Sequence, residues 1–473
     1  MRAAAGSDLT GGPERSSDFA EAAPSAPAVA RPKAWLLKRG HALSYAGLFL
    51  FTFVLYFRPY ELFPSLSFLS TSAFWIALCT LIIYVPSQLA VEGNLTVWTR
   101  EIKLVLLLCL FGLLSIPLAD NPAEAWETFN DSFIKAVVMF IVIVNVVRTR
   151  RRLQGLIFLS LAVSYVLCVN ALNDYRLGNL TIEGYRVKGL IGNLFDNPND
   201  LALHLVTVTP IAFVLMLNAR SVLLKMFYGA CALLTVAGNV VTYSRAGFLG
   251  LMAIVGVMAW KLGRRNRLAV AAAALFFVVG FMALAPGNYA LRIVSMFDRS
   301  LDPLGSADTR QEILNISVKV ALRNPWGIGM GNFRHRSIQE LVTHNAYTQV
   351  ASEMGLVALV VYIMFMITPF RRLRMIEDAT FKQRRKSRFF YLSVGLQASL
   401  IGYMVTSFFA AVAYLWYVYY IVGYSIAVRR MYEAEHGPVL GAAVKTEPRT
   451  GVDKAVDGNG APLLEPAASS GRL

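Results

Sequence analysis

With 473 residues, 56% of them hydrophobic and 16% charged, and a mean hydropathy of +0.52, this chain is excluded from the ordinary soluble globular class. The net charge of +16 falls mainly in short loops between apolar runs, so membrane topology and anionic lipid account for it and no nucleic-acid partner is called for. The expected fold class is an all-α integral membrane protein.

Residues 1–40 are rich in Ala, Pro and Ser and lack a compact apolar pattern, which predicts a disordered cytoplasmic tail. The polytopic transmembrane domain is expected over residues 41–430, followed by a second disordered cytoplasmic tail over 431–473. The first apolar run begins past residue 40 and no small-x-small site follows it, so it reads as an anchor and not a cleaved signal. Apolar runs long enough to cross the hydrocarbon core start near Ala42, Ser70, Lys103, Ser132, Leu153, Asn199, Ser221, Ser244, Arg267, Thr348, Phe389 and Ala411. That is about twelve transmembrane helices. The last two are separated only by Phe408-Phe409-Ala410-Ala411 and can also be read as one long kinked segment. Cys79, Cys109, Cys168 and Cys231 all lie inside apolar runs, where a cysteine behaves as a small hydrophobe, and no disulfide or zinc spacing is visible.

Lys and Arg concentrate in alternate loops: Arg148 to Arg152, Arg220 with Lys225, Lys261 to Arg267, Arg371 to Arg374 and Lys382 to Arg388, together with Lys38-Arg39 and Arg429-Arg430 in the tails. The positive-inside rule puts these in the cytoplasm. The opposite side then holds the acidic stretch 120–131, residues 173–197, the turn before Arg245, and a large extracytoplasmic loop over 286–345 with short helices of its own. Arg186, Lys188, Arg245, Arg310, Arg334 and Arg336 remain on that side against the rule, and a site for a negatively charged ligand is the simplest account of them.

Four segments on this face carry chemistry. In Gly192 to Asp200, Asn197 fits an N-cap, Pro198 the first helical position and Asp200 the third, so capping alone explains the pattern. The functional reading of the same residues has Asn197, Asn199 and Asp200 hydrogen-bonding sugar hydroxyls or orienting Arg186. Asp196 and Asp200 are too few carboxylates for a hard-cation cage, so no metal site is expected. His204, about one turn further in, reads as a satisfied interior histidine.

In Thr242 to Leu249, Ser244 is a plausible cap and Arg245 falls in the first turn of a span. The helix dipole opposes a cation there by some tenths up to about 1 kcal/mol, which points to a compensating anion. Free backbone N–H groups at the same start would add to the pull on a phosphate. The bland alternative is an interfacial arginine snorkelling to headgroups.

Within the long loop, Asp308-Thr309-Arg310-Gln311 resembles a capping box opening an amphipathic stretch through Leu322, with Arg310 in its first turn. Pro325 to Asn332 is glycine-rich, but without a preceding strand or a Gly-Lys-Ser ending it reads as turns and not a phosphate loop. Last comes the polar run His344-Asn345-Ala346-Tyr347-Thr348-Gln349 at the mouth of a span. His344, one of five histidines, is a candidate proton acceptor at a water–membrane boundary; the bland reading is an interfacial residue capping the next span.

These residues resemble the O-antigen ligase and O-antigen polymerase superfamily. The resemblance rests on His344-Asn345 with Gly355 after nine intervening residues, on Arg245 and Leu249 in an Arg-x-x-x-Leu pattern, and on the Asn-Pro-Asn start, the Arg310 helix and Trp326-Gly327-x-Gly329 in that order. It covers roughly residues 186–367. Ala358 departs from the Gly, Thr or Tyr frequent in the ligase pattern, which weighs toward polymerase.

The resemblance implies a membrane glycosyltransferase that moves a glycan, with inversion, from undecaprenyl diphosphate to an acceptor hydroxyl. It implies the periplasmic face of the bacterial cytoplasmic membrane, and no metal, ATP or other cofactor. The acceptor would be a second glycan, lipid A core or a protein side chain, and lipids of the surrounding membrane are the remaining partners. His344 would accept the hydroxyl proton, Arg245 would hold the leaving diphosphate with Arg186 and Arg310 in support, and Asn345 and Glu353 would orient His344. Two other classes fit the span count: a polysaccharide or lipid-linked glycan transporter or flippase, which would favour charges near mid-membrane, and a non-catalytic scaffold in a polysaccharide assembly. Lys135, in an apolar run, has no account from sequence.

Overall fold

The structure, a computed structural model, describes residues 41–192, 194–265, 306–384 and 387–437, with isolated positions between 267 and 294. Both expected tails, the span starting near Arg267 and most of residues 286–305 lie outside the described residues.

The described chain is helical, with an isolated bridge between Ile182 and Arg186 as its extended pairing. In order it forms α1 (Ala42–Phe57), α2 (Ser72–Glu92), α3 (Arg100–Ser115), α4 (Pro122–Thr128), α5 (Ile134–Val146), α6 (Arg150–Leu177), α7 (Pro198–Asn218), α8 (Val222–Val241) and α9 (Arg245–Leu262). Then follow α10 (Ser306–Arg323), α11 (Ala346–Glu353), α12 (Leu356–Thr380), α13 (Arg388–Thr406) and α14 (Trp416–His436). Among the described residues ten helical stretches are long and apolar enough to cross a membrane. Helix α14 has the length of a span, 21 residues, and ends in the charged turns from Arg429 to His436.

Local chemistry sets the helix starts. Thr99, Thr149, Ser244 and Ser387 each accept from the backbone amide three residues on, and Asn121 and Asn197 cap helices whose first residue is proline. Three boundaries differ from the sequence expectation. The span expected from Ser132 starts at Pro122 and passes through a π turn, Phe129–Phe133, which joins α4 to α5. The span expected from Thr348 is two helices, α11 and α12, broken at Gly355. The stretch expected to open with Asp308 as cap starts at Ser306, so Asp308 lies within the first turn of α10, where its charge favours the helix dipole. The last two apolar runs are separate helices, with Ser407–Phe409 and a turn between α13 and α14.

Helix α7 is the hub and packs against α8, α9 and α13. The close approach depends on small residues: a Cβ on Gly395 would meet Val214, and one on Gly402 would meet Val206 at 2.8 Å. At the end carrying the basic loops, buried ions are paired. Lys261 Nζ lies 2.5 Å from Glu377, Glu377 also meets Arg264 at 3.1 Å, and Gln397 donates to the same carboxylate at 3.0 Å. Arg429 reaches Glu101 at 2.8 Å, and Arg148 reaches Glu92 at 2.8 Å. Removing one partner of such a buried pair costs roughly 3–5 kcal/mol, because the other is left charged without water. Lys135 belongs to the opposite end, where it pairs one helical turn away with Asp131.

Candidate functional site

The site lies at the end of the bundle opposite those pairs, where α7, α9 and α11 begin. Two of these starts share one local design. Tyr243 and His344 both hold left-handed backbone, φ 50° and 49°, and each immediately precedes a capping residue, Ser244 before α9 and Asn345 before α11. Bulky residues in this region cost of order 1–3 kcal/mol, which surrounding contacts must supply. Ser244 Oγ accepts from the Gly247 amide at 3.2 Å, and Asn345 Oδ1 accepts from Tyr347 and Thr348 at 2.8 and 3.1 Å.

Around the start of α9 the polar groups interlock. Arg186, 3% exposed, donates from Nε to the Thr242 carbonyl at 3.0 Å and from Nη2 to Asn199 Oδ1 at 3.0 Å, and meets Glu183 at 3.4 Å. Ser244 Oγ donates to the same Asn199 oxygen at 2.8 Å. Asn197 caps α7 by accepting from the Asn199 amide at 2.9 Å. Of the residues proposed to orient Arg186, Asn199 does so directly and Asn197 only holds its helix start. Burial chiefly, and the nearby charge of Arg245, pull Arg186 below the usual guanidinium range against the opposing effect of Glu183. Two cations are thus held side by side at a helix N-terminus, with Arg245 half-buried in the first turn of α9.

His344 is half-buried where α10 packs on α11. Its pKa is lowered from 6.5 to about 4, by burial first and by the charge of Arg310 second, so the ring is neutral at pH 7 and free to accept a proton. The rest of the polar run is committed to structure. Tyr347 donates to the Met404 carbonyl at 2.8 Å, and Gln349 Oε1 accepts from the Ala413 amide at 3.2 Å.

The expectation that Asn345 and Glu353 orient His344 differs from their described contacts. Asn345 is spent on capping α11. Glu353 is 4% exposed, accepts from Tyr414 Oη at 2.8 Å and is further held by the backbone at Gly331 and Phe333. Burial raises its pKa from 4.5 to about 7.

The glycine segment fulfils its turn-making role. Gly327, Gly329 and Gly331 have positive φ, the Ile328 and Gly329 amides donate to the Ser352 and Glu353 carbonyls at 3.0 Å, and the Leu356 amide donates to the Pro325 carbonyl at 2.9 Å. At Gly355, φ 101°, a Cβ would collide with that carbonyl, so only glycine permits the approach.

Three of the six basic residues assigned to an anion site serve elsewhere. Arg336 grips Asp120 through two bonds of 2.7 and 2.6 Å, Arg334 meets Glu124 at 2.6 Å, and Lys188 meets Asp196 at 2.7 Å. The two arginine pairs dock the loop before α11 onto the start of α4, together with Asn332, whose Oδ1 accepts from the Asn121 amide at 2.6 Å. Arg186, Arg245 and Arg310 remain at the candidate site. His204, inside α7, meets Ser164 Oγ at 3.0 Å, as an interior histidine should.

Sequence reasoning missed the aromatic wall of Tyr243, Tyr185 and Tyr289, whose rings lie 5.4–5.6 Å from Tyr243. It also missed the Thr242 carbonyl that fixes Arg186, a backbone contact without a sequence signal. Tyr243 itself was findable, since it stands next to the predicted cap.

Residues 229–363 match the family model described as O-antigen ligase, a segment that includes Arg245, Arg310, His344 and Glu353. None of the curated proteins compared with the chain matches it. Among solved structures, the chain is similar to one from "Structural coordination of polymerization and crosslinking by a peptidoglycan synthase complex". The two are 16% identical with a TM-score of 0.37, and the match covers 72% of this chain and 99% of that chain.

Proposed function

We propose, from the match of residues 229–363 to the O-antigen ligase family model, that this multi-pass membrane protein is a glycosyltransferase moving a glycan from undecaprenyl diphosphate to an acceptor hydroxyl. The positive-inside rule supports a site at the periplasmic face of the inner membrane, because the paired basic loops occupy the other end. The observation that carries the reading is the chemistry of the two half-buried helix starts. One holds Arg245 beside the immobilised Arg186; the other holds a neutral His344 beside Arg310.

In the proposed step, His344 takes the proton of the acceptor hydroxyl as its oxygen attacks the anomeric carbon. The bond to the diphosphate breaks, and its electron pair leaves with the diphosphate. Negative charge grows on that leaving group, where arginines fixed before the reaction stabilise it without reorganising. A base with pKa about 4 is weak, but an anionic donor near Arg310 offsets the charge that helps depress it. Donor binding therefore brings His344 up toward the range where it works as a base.

The buried charges favour this reading over transport: the Lys261–Glu377, Arg429–Glu101 and Arg186 networks belong to helix ends, and Lys135 is paired locally. The test is a reconstituted reaction of purified protein with undecaprenyl-diphosphate oligosaccharide, with and without lipid A core, resolved by mass. Longer glycan on the carrier means polymerase and glycan on the core means ligase. Carrier-linked donor that stays unchanged with every acceptor supplied counts against the proposal.

A further inference from the structure

At the end of the bundle that carries the basic loops, a cavity of about 830 Å³ opens among the ends of α6, α7, α8, α13 and α14. Its mouth holds three arginines, Arg150, Arg220 and Arg388, against one carboxylate, Glu435, which pairs with Arg388. The starts of α6, α8 and α13 also converge there, capped by Thr149, Ser221 and Ser387, and Ser221 makes no side-chain capping bond. Helix starts present unpaired N–H groups and positive dipole ends, so arginines and backbone favour the same kind of ligand, an anion.

Above the mouth, the wall shared by α6, α7 and α13 continues as a narrow apolar slot lined by Ile157, Phe158, Leu161, Leu215 and Leu392. Phe158 on the slot, and Leu217 and Leu224 on the cavity below it, are 54%, 38% and 47% exposed, so both open sideways onto the face that meets lipid. A soluble phosphate would fill only the mouth; a ligand using both parts has an anionic head and a hydrocarbon chain.

The geometry points to a binding site for one anionic phospholipid of the membrane leaflet on the basic-loop side, its phosphate among Arg150, Arg220 and Arg388 and an acyl chain in the slot. The site is separate from the glycan-transfer residues, which lie at the other end of α7 and α9. Each arginine near an anionic headgroup contributes about fivefold in affinity.

The test titrates delipidated, full-length protein with short-chain phosphatidylglycerol, phosphatidylcholine of the same chains, and glycerol phosphate, followed by native mass spectrometry. Expected is saturable binding of one phosphatidylglycerol, weaker phosphatidylcholine, and no competition from glycerol phosphate. Arg150→Gln and Arg220→Gln should each weaken phosphatidylglycerol about fivefold, and Leu215→Trp should weaken both lipids by closing the slot. Photoactivatable phosphatidylglycerol on the unaltered protein should label residues 150–161, 215–228 or 387–392, whether or not the variants fold. Equal affinity for both lipids, competition by glycerol phosphate as strong as by lipid, or labelling elsewhere would overturn the proposal.

Discussion

Asn199 Oδ1 accepts from Arg186 Nη2 at 3.0 Å, and the same oxygen accepts from the hydroxyl of Ser244, the cap of α9. The carboxamide of α7 thereby ties a buried cation to the helix start that presents Arg245. Asn199→Ala leaves a guanidinium donor and a hydroxyl short of their acceptor inside the protein, a stability loss of about 1–3 kcal/mol. Because the loss also frees the arginine from its position, kcat/KM should fall by about tenfold or more while the helical content stays unchanged. Thermal denaturation with initial-rate kinetics on one preparation checks both parts.

The pH profile follows from His344. Its folded pKa of about 4 lies below the usual 6.5, so the folded state binds fewer protons than the unfolded chain between these values. Stability from this group is present above about 6.5 and is lost as pH falls toward 4. For catalysis, kcat/KM, which reports the free enzyme, should lose its acid limb near pH 4, whereas the limb of kcat should lie higher because bound donor offsets Arg310. Arg310→Gln should raise the kcat/KM limb. An unmoved limb in that variant would remove Arg310 from the account.

Arginines on the same face should divide sharply. Arg334 and Arg336 are tied to Glu124 and Asp120 in partly exposed pairs, the kind worth about 0–1 kcal/mol. Alanine at either position should change transfer by less than about threefold, apart from a small drop in stability, given that each 1.36 kcal/mol is tenfold. Arg245→Ala should cost about a hundredfold or more in kcat, the scale of losing a charge-stabilising group. Comparable losses at Arg334 and Arg245 would contradict the division.

Glu353 titrates in the opposite direction to His344. Burial lifts its folded pKa from 4.5 to about 7, so the folded state binds the extra proton, and the stability it brings below about 4.5 is lost as pH rises through 7. Glu353→Gln keeps an acceptor for Tyr414 and removes the buried charge. It should retain transfer and flatten the decline of melting temperature between about pH 4.5 and 7, which a pH series of melts would reveal.

Much of this was legible in the sequence, for definable reasons. Apolar run length predicts about twelve spans, and ten are found among the described residues; short-range capping predicts Asn197 and Ser244 because a cap needs only its own neighbours, whereas the cap of α11 is Asn345, one residue past the His344 to which the bland reading assigns it. The break at Gly355 was hidden because α11 and α12 are continuous in hydropathy; the collision that demands glycine comes from Pro325, thirty residues away in sequence. The pairing of Arg334 and Arg336 with the start of α4 was hidden likewise: six basic residues on one face look like one site until partners distant in sequence claim these two and the nearby Asp196 claims Lys188. Asn199, expected with Asn197 and Asp200 either to bind sugar hydroxyls or to orient Arg186, accepts from Arg186 directly, whereas the acceptance of Arg186 by the Thr242 carbonyl carries no side-chain signature.

The central claim is that His344 acts as the base in glycan transfer. The most direct measurement is single-turnover transfer from pre-bound undecaprenyl-diphosphate oligosaccharide, comparing His344→Ala with the unaltered protein at matched donor occupancy. The account predicts that the variant binds donor and loses transfer by about 10²–10⁴-fold. Transfer at the unaltered rate by His344→Ala, with donor bound to the same extent, would contradict it.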